Sequence, residues 1–313
     1  MKKLSKQRVL RGAVMDLGSN TFKLMLAEQR GKALIVHYET AVTTRLGENL
    51  QRKGKFSEKA IRRALAALKK FRARIEKFGA EKIIAVGTQA LRAAKNRNDF
   101  LRPAEKILSI KIQIISGKKE GELVFAGISS EPRWRKAEIL NIDLGGGSME
   151  WIHGKNGKLI SVKSIPIGCV QLRDLFFKKY PASPTQIAEA KKYLLKNLSP
   201  VVAKYEPFRG RLLSSGGTMN TLCSLGVRLT LSRFRESVSL TPRVLQKMER
   251  DFSVLTLAQL RKIPNLPKDR ADIIVPGILI LLTIVEILQK KHFSRAPSGL
   301  RYGVWYSKFS NYL

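Results

Sequence analysis

Cysteine and histidine are scarce: Cys169, Cys223, His37, His153 and His292 are the whole set in 313 residues. No Cys-x-x-Cys pair exists and the histidines fall at no metal-ligand spacing, which argues against a zinc site and fits a reducing cytoplasm. Long apolar runs are also missing. Residues 273–285 are nearly all apolar, yet Pro276-Gly277 interrupts them, Asp272 and Glu286 flank them, and a membrane span needs roughly 20 residues, so a buried helix is expected there and no membrane partner. The basic segment 1–11 has no apolar signal core or small-residue cleavage site, so secretion is not expected. No linker rich in Pro, Gly or Ser divides the chain. The most uneven count is acid against base: 24 Asp+Glu face 59 Lys+Arg, a net charge of +35. Such a surface attracts polyanions, with a uniformly basic proteome as the plain alternative. Composition is otherwise that of a folded protein, 44% hydrophobic and 27% charged, and the length suffices for two domains.

Two stretches share a pattern, Asp16-Leu17-Gly18-Ser19-Asn20-Thr21 and Asp143-Leu144-Gly145-Gly146-Gly147-Ser148. Each follows a short apolar run, as a buried strand ending in a tight turn reads. Glycine at such a turn lets backbone N–H groups approach an anion with no Cβ in the way. The repetition points to phosphate chemistry between two related domains.

The surrounding elements repeat as well. Residues 22–27 and 33–38 read as strands joined at Arg30-Gly31-Lys32, and a helix runs from a Ser57 cap to a Gly79 stop. Its polar face carries Lys59, Arg62, Arg63, Lys69, Arg72, Arg74 and Lys77, either a solvated face or a polyanion track. Strands are expected at 82–86 and 110–115, and a helix holds Arg92 between them. The second half follows the same order: a hairpin through Gly154-Lys155-Asn156-Gly157, a helix opened by the capping-box pattern Ser183-Pro184-Thr185-Gln186, and a strand at 211–215 delivering Gly216-Gly217-Thr218 to a helix start.

These motifs, in this order, resemble the exopolyphosphatase/guanosine pentaphosphate phosphohydrolase (Ppx/GppA) family over almost the whole chain. The resemblance rests on Asp16-Leu17-Gly18-Ser19-Asn20-Thr21, Arg45-Leu46-Gly47-Glu48-Asn49-Leu50, Gly87-Thr88-Gln89-Ala90-Leu91-Arg92, Ile115-Ser116-Gly117-Lys118-Lys119-Glu120 and Asp143 to Glu150. Further along, Pro166-Ile167-Gly168-Cys169-Val170, Ser215-Gly216-Gly217-Thr218, Val275-Pro276-Gly277 and Gly299-Leu300-Arg301-Tyr302-Gly303 continue it. It implies an α/β chain of two actin-like domains (acetate kinase/actin superfamily, ribonuclease H-like) with an interdomain active-site cleft. The short two-domain form is implied, with domains at 1–125 plus 299–313 and at 126–298. It also implies a homodimer. Three departures stand out: Lys119 where the family usually has the first of two adjacent acids, Met149 in place of the usual Thr before Glu150, and Ser214-Ser215 where Gly-Thr is common.

Hydrolysis of a phosphoanhydride needs a positioned, deprotonated water and groups that offset charge on the phosphoryl oxygens. Glu120, at a Ser-Gly-opened helix start, is the candidate base that the family resemblance selects; the other reading is a carboxylate favoured by the helix dipole. Asp143, ending an apolar strand beside three glycines, suits Mg²⁺ or another divalent cation directly or through water, with Glu150 a second ligand or an ordinary hairpin carboxylate. Ser19, Asn20, Thr21, Gly145, Gly146, Gly147 and Ser148 would supply phosphate donors, with Arg92 as a forked cation. Gly217 and Thr218 complete the second loop or simply cap a helix. Cys169 reads as buried packing.

The first expectation is an exopolyphosphatase releasing orthophosphate from inorganic polyphosphate. Guanosine pentaphosphate 5′-phosphohydrolase is the alternative within the family. Outside it stands a catalytically weak protein that binds polyphosphate or nucleic acid, the latter otherwise expected only non-specifically. A kinase on the same fold is a further alternative, with no acceptor-site feature to favour it.

Overall fold

The computed structural model describes residues 9–309 except 32, 206, 231–239 and 297, with the backbone alone at 226–230. The segment 1–8 of the basic N-terminus and Lys32 of the expected turn lie outside the described residues. The chain divides into two compact units, one of residues up to Gly127 together with those from Leu300, the other from Ile128 to Gly299.

In the first unit, β1 (Val9–Leu17), β2 (Thr21–Arg30), β3 (Ala33–Thr43), α1 (Leu50–Lys53), α2 (Glu58–Phe78), β4 (Lys82–Gly87), α3 (Gln89–Ala93), α4 (Arg97–Leu108), β5 (Ile112–Ile114) and α5 (Gly117–Ser129) follow in order. The division between the units falls within α5. The sheet order is β3-β2-β1-β4-β5, antiparallel through β1 and parallel beyond it. Residues 12–15 of β1 are all apolar and buried, with α2, through Ala64, Leu68 and Phe71, in the core on one side. Ser57 Oγ accepts from Ala60 N at the start of α2, and Gly79, in the left-handed region, ends it. Its basic face is only partly solvated, since Arg63 donates to Thr44 O and Glu48, and Arg72 to Leu108 O. Strand β5 covers three residues rather than the expected six, and β3 runs five residues further than expected, to Thr43. β3 is an edge strand whose residues alternate between exposed and half-buried, a pattern with little apolar signal.

The second unit contains α6 (Pro132–Arg135), β6 (Glu138–Leu144), β7 (Met149–Lys155), β8 (Lys158–Ile165), α7 (Cys169–Phe176), α8 (Pro184–Val202), β9 (Arg211–Ser215), α9 (Gly217–Thr230), α10 (Pro242–Ser253), α11 (Leu257–Leu260), α12 (Ile274–Ile287) and β10 (Ser294–Arg295). The C-terminal α13 (Leu300–Phe309) belongs to the first unit and packs on β1 and β2. Sheet order β10-β9-β6-β7-β8 repeats the first unit's, with the same parallel and antiparallel pairs. Even the irregularity repeats: a register shift follows Leu26 in β2 and His153 in β7, each ten positions past its aspartate (16 to 26, 143 to 153). Asn156 and Gly157, at φ 53° and 72°, make the tight turn between β7 and β8 that Asn-Gly favours. The capping box at Ser183 and Gln186 is formed.

The apolar run is helix α12, buried from Ile274 to Val285, and Pro276-Gly277 does not interrupt it. Proline in the first turn removes an N–H that has no intrahelical partner, so it starts a helix rather than breaking one. Among the described residues no helix is long and apolar enough to cross a membrane.

Candidate active site

In the first unit β1 delivers Asp16 and Leu17 to a turn closed by Gly18 N donating to Thr21 O (3.3 Å). Ser19, Asn20 and Thr21 are nearly buried, and Ser19 Oγ donates to Gln89 Oε1 (3.0 Å) at the start of α3. The turn is thereby tied to the segment that carries Arg92. Arg92 Nη1 donates to Ile115 O (2.7 Å) and to Glu120 Oε2 (2.9 Å). Glu120, 8% exposed, sits in the first turn of α5 with its amide bonded to Ser116 O. The arginine fixes the carboxylate in place, and Nη2 and Nε belong to the same donor fork. Lys119 points elsewhere: half-exposed, its ammonium pairs with Glu122 (3.1 Å). Replacing an acid at position 119 therefore changes the outer side of the helix, not the buried position next to Arg92.

In the second unit Gly145 N donates to Ser148 O (3.0 Å), the same turn as in the first. Here helix α7 reaches the loop. Cys169 N donates to Gly145 O (3.1 Å), and Val170 N (2.8 Å) and Gln171 N (3.2 Å) donate to Gly146 O. These are the amides a helix start leaves without intrahelical partners. In a trans peptide the N–H lies opposite the carbonyl, so anchoring the carbonyls of Gly145 and Gly146 to α7 turns the N–H groups of Gly146 and Gly147 away from it. Those glycines are half-exposed, and successive outward amides form an anion-binding nest. The close approach requires glycine at 168, where a Cβ would lie 2.5 Å from Gly146 O and 2.6 Å from Gly147 N.

Asp143 and Glu150 face each other across β6 and β7 in direct register, which sets their Cβ atoms about 5 Å apart on one face. Ser215 Oγ donates to Asp143 Oδ1 (2.7 Å), and Ser148 Oγ (3.0 Å) and Ser164 Oγ (2.8 Å) donate to Glu150 Oε1. The equivalent register position in the first unit pairs Asp16 with Lys23, whose ammonium is 3.1 Å from Asp16 Oδ2. One hairpin thus pairs a carboxylate with a lysine across the strands, while the other sets two carboxylates opposite each other, and like charges so placed repel. Hard oxygen donors of this kind fit Mg²⁺, which keeps several waters and takes few protein ligands. Among the described residues no group of three or more His, Cys, Asp or Glu is placed to hold a metal.

Thr218, 4% exposed, lies in the first turn of α9 and shares a 3.2 Å hydrogen bond with Cys169 Sγ, so its hydroxyl faces the core. Cys169 is wholly buried, and burial pushes its thiol up to about 11, which leaves it packing rather than reacting. The sequence reading passed over Asp16, Lys23, Gln89 and Arg270, whose guanidinium lies against Gly217. Asp16 could have been found as the counterpart of Asp143. Arg270 carried no signal, being one cation among 59.

The model of the Ppx/GppA phosphatase family matches residues 25–312. A Haemophilus influenzae protein named "Putative exopolyphosphatase" is 29% identical over 302 residues, 96% of this chain and 92% of that protein. A guanosine-5'-triphosphate,3'-diphosphate pyrophosphatase of Pseudoalteromonas translucida is 30% identical over 298 residues, 94% of this chain but 58% of that longer protein. In the crystal structure of an exopolyphosphatase from Cytophaga hutchinsonii the fold recurs with a TM-score of 0.89 at 25% identity, over 96% of this chain and 98% of that one. The Aquifex aeolicus family member gives 0.78 at 28% identity, over 97% and 99%. Sequence and fold agree along nearly the whole length, and the chain belongs to the Ppx/GppA phosphatase family.

Proposed function

We propose that the protein is an exopolyphosphatase, hydrolysing the terminal phosphoanhydride of inorganic polyphosphate to release orthophosphate. The observation that carries this reading is Glu120, a buried carboxylate in the first turn of α5 held by Arg92 beside a tied-down phosphate turn. Glu120 orients the attacking water and takes its proton. In the first unit Arg92 binds phosphoryl oxygens and Gly18, Ser19, Asn20 and Thr21 shape the loop; in the second the outward amides of Gly146 and Gly147 offer an anion site, with Gly145, Ser148, Gly217 and Thr218 shaping that loop. Asp143 and Glu150 would hold a divalent cation, which would supply charge neutralisation to the phosphate.

Polyphosphate is preferred to guanosine pentaphosphate on the +35 charge, which favours association with a long polyanion, and on the end-to-end match to the Haemophilus influenzae relative. The guanosine nucleotide remains the second reading because of the match to the Pseudoalteromonas translucida pyrophosphatase. The reading carries with it a cytoplasmic location, which two unpaired buried thiols suit, and a homodimer. Light scattering of the purified chain tests the latter.

Glu120→Gln is expected to lower kcat at least about 1,000-fold while long-chain polyphosphate binds with unchanged affinity. Equal losses of binding and turnover would overturn the assignment of Glu120 as base.

A further inference from the structure

We infer that the outer face of α2 is a second, non-catalytic binding track for polyphosphate, guiding the part of the chain that lies beyond the reacting end. The inference rests on the functional reading above. Lys59, Arg62, Lys69, Lys70 and Lys77 are all exposed, and spacings of three, seven and eight residues line them along one face of the helix. The opposite face, with Ala60, Ala64, Ala67, Leu68, Phe71 and Ile75, is buried in the core of the first unit. Between the cations the stripe carries only the small side chains of Ala66 and Ala73, so a linear chain can lie flat along it. From Lys59 to Lys77 it measures about 27 Å at 1.5 Å per residue.

Among the described residues, Lys59, Lys69, Lys70 and Lys77 take part in no ion pair, and Arg62 pairs only with Glu58, both partners being more than 70% exposed. A pair so exposed competes weakly with a polyanion. Basic residues at random positions would give diffuse attraction; five in one stripe give a path.

The path has a direction. Arg63, in the second turn of α2, donates Nε to Thr44 O (2.9 Å) and Nη2 to Glu48 Oε2 (2.9 Å). Thr44 N and Arg45 N donate in turn to Asn20 O, and Gly47 N to Ser19 O. The start of α2 is therefore joined through residues 44–48 to the phosphate turn at the end of β1. The far end of α2 lies at the other end of that strand, where the Arg11 guanidinium sits over Phe78 (5.7 Å). The stripe begins beside the phosphate turn and leads away from it.

The test removes the stripe's charge in one variant, Lys59→Gln, Arg62→Gln, Lys69→Gln, Lys70→Gln and Lys77→Gln. A control removes as many charges from exposed lysines of the second unit, at Lys158, Lys163, Lys178, Lys192 and Lys196. Relative to the control, the stripe variant is expected to raise KM for long-chain polyphosphate about tenfold, with kcat retained within about twofold and guanosine pentaphosphate hydrolysis unaltered. Equal effects of the two variants, or equal effects on both substrates, would overturn the track. Direct titration with long-chain polyphosphate is the second arm and needs no turnover. If the wild type hydrolyses neither substrate the functional reading fails, and the track then stands or falls on whether the stripe variant loses more affinity than the control.

Discussion

Asp143 and Glu150 are opposed carboxylates where the related hairpin has Asp16 and Lys23, and this single difference in register partner separates the two halves chemically. A lysine neutralises the carboxylate on one hairpin; under the proposed function a divalent cation would do so on the other. Glu150→Gln is accordingly expected to raise the Mg²⁺ concentration for half-maximal activity at least about tenfold, with smaller changes in substrate affinity. A Mg²⁺ titration of phosphate release checks this, and an unchanged midpoint would remove Glu150 from the metal site. Asp143 stands out in the sequence because it ends an apolar run beside three glycines, and Glu150 as an acid on the strand that follows. The Asp16–Lys23 pair does not, since it depends on cross-strand register, and neither does Arg270, whose position against Gly217 joins residues more than fifty apart. The hydroxyl partners were hidden in a different way. Ser148, read as a phosphate donor, and Thr218, read as completing a loop or capping a helix, direct their side chains to Glu150 and Cys169.

Helix α7 acts on the glycine loop through three amides and one missing side chain. Gly168→Ala would drive a Cβ into the Gly146–Gly147 peptide, where backbone rather than a flexible side chain must yield. Overpacking of this kind costs about 1–3 kcal/mol, and a displacement near 1 Å at a catalytic loop can cost about 100-fold in rate. The expected result is a kcat lowered by about that factor with a fall in Tm of a few degrees; wild-type kcat in the alanine variant would show that the loop does not depend on α7. Elements with strong periodicity, α2 and α8 above all, were legible together with their caps, because Ser57, Gly79 and Ser183 act locally. Two kinds of element resisted. The edge strand β3 alternates weakly, and Pro276-Gly277 reads as a break until its place in the first turn of α12 is known. That position is set by packing: a Cβ at Gly277 would meet Thr218 and Cys169.

The duplicated sheet, repeated down to its bulge, explains why one pair of motifs announced so much of the fold: two similar sequences took the same local geometry twice. Charge is the global property that the fold leaves untouched. At +35, attraction to a long polyanion is screened over about 10 Å at 0.1 M salt, so kcat/KM for long-chain polyphosphate is expected to fall at least about tenfold between roughly 0.05 and 0.5 M. A rate constant indifferent to salt would mean that steering plays no part. The most direct test of the central claim is Mg²⁺-dependent orthophosphate release from long-chain polyphosphate and from guanosine pentaphosphate, side by side, for the wild type and Glu120→Gln. The account predicts faster release from polyphosphate that vanishes in the variant; preference for the nucleotide, or release that survives Glu120→Gln, would contradict it.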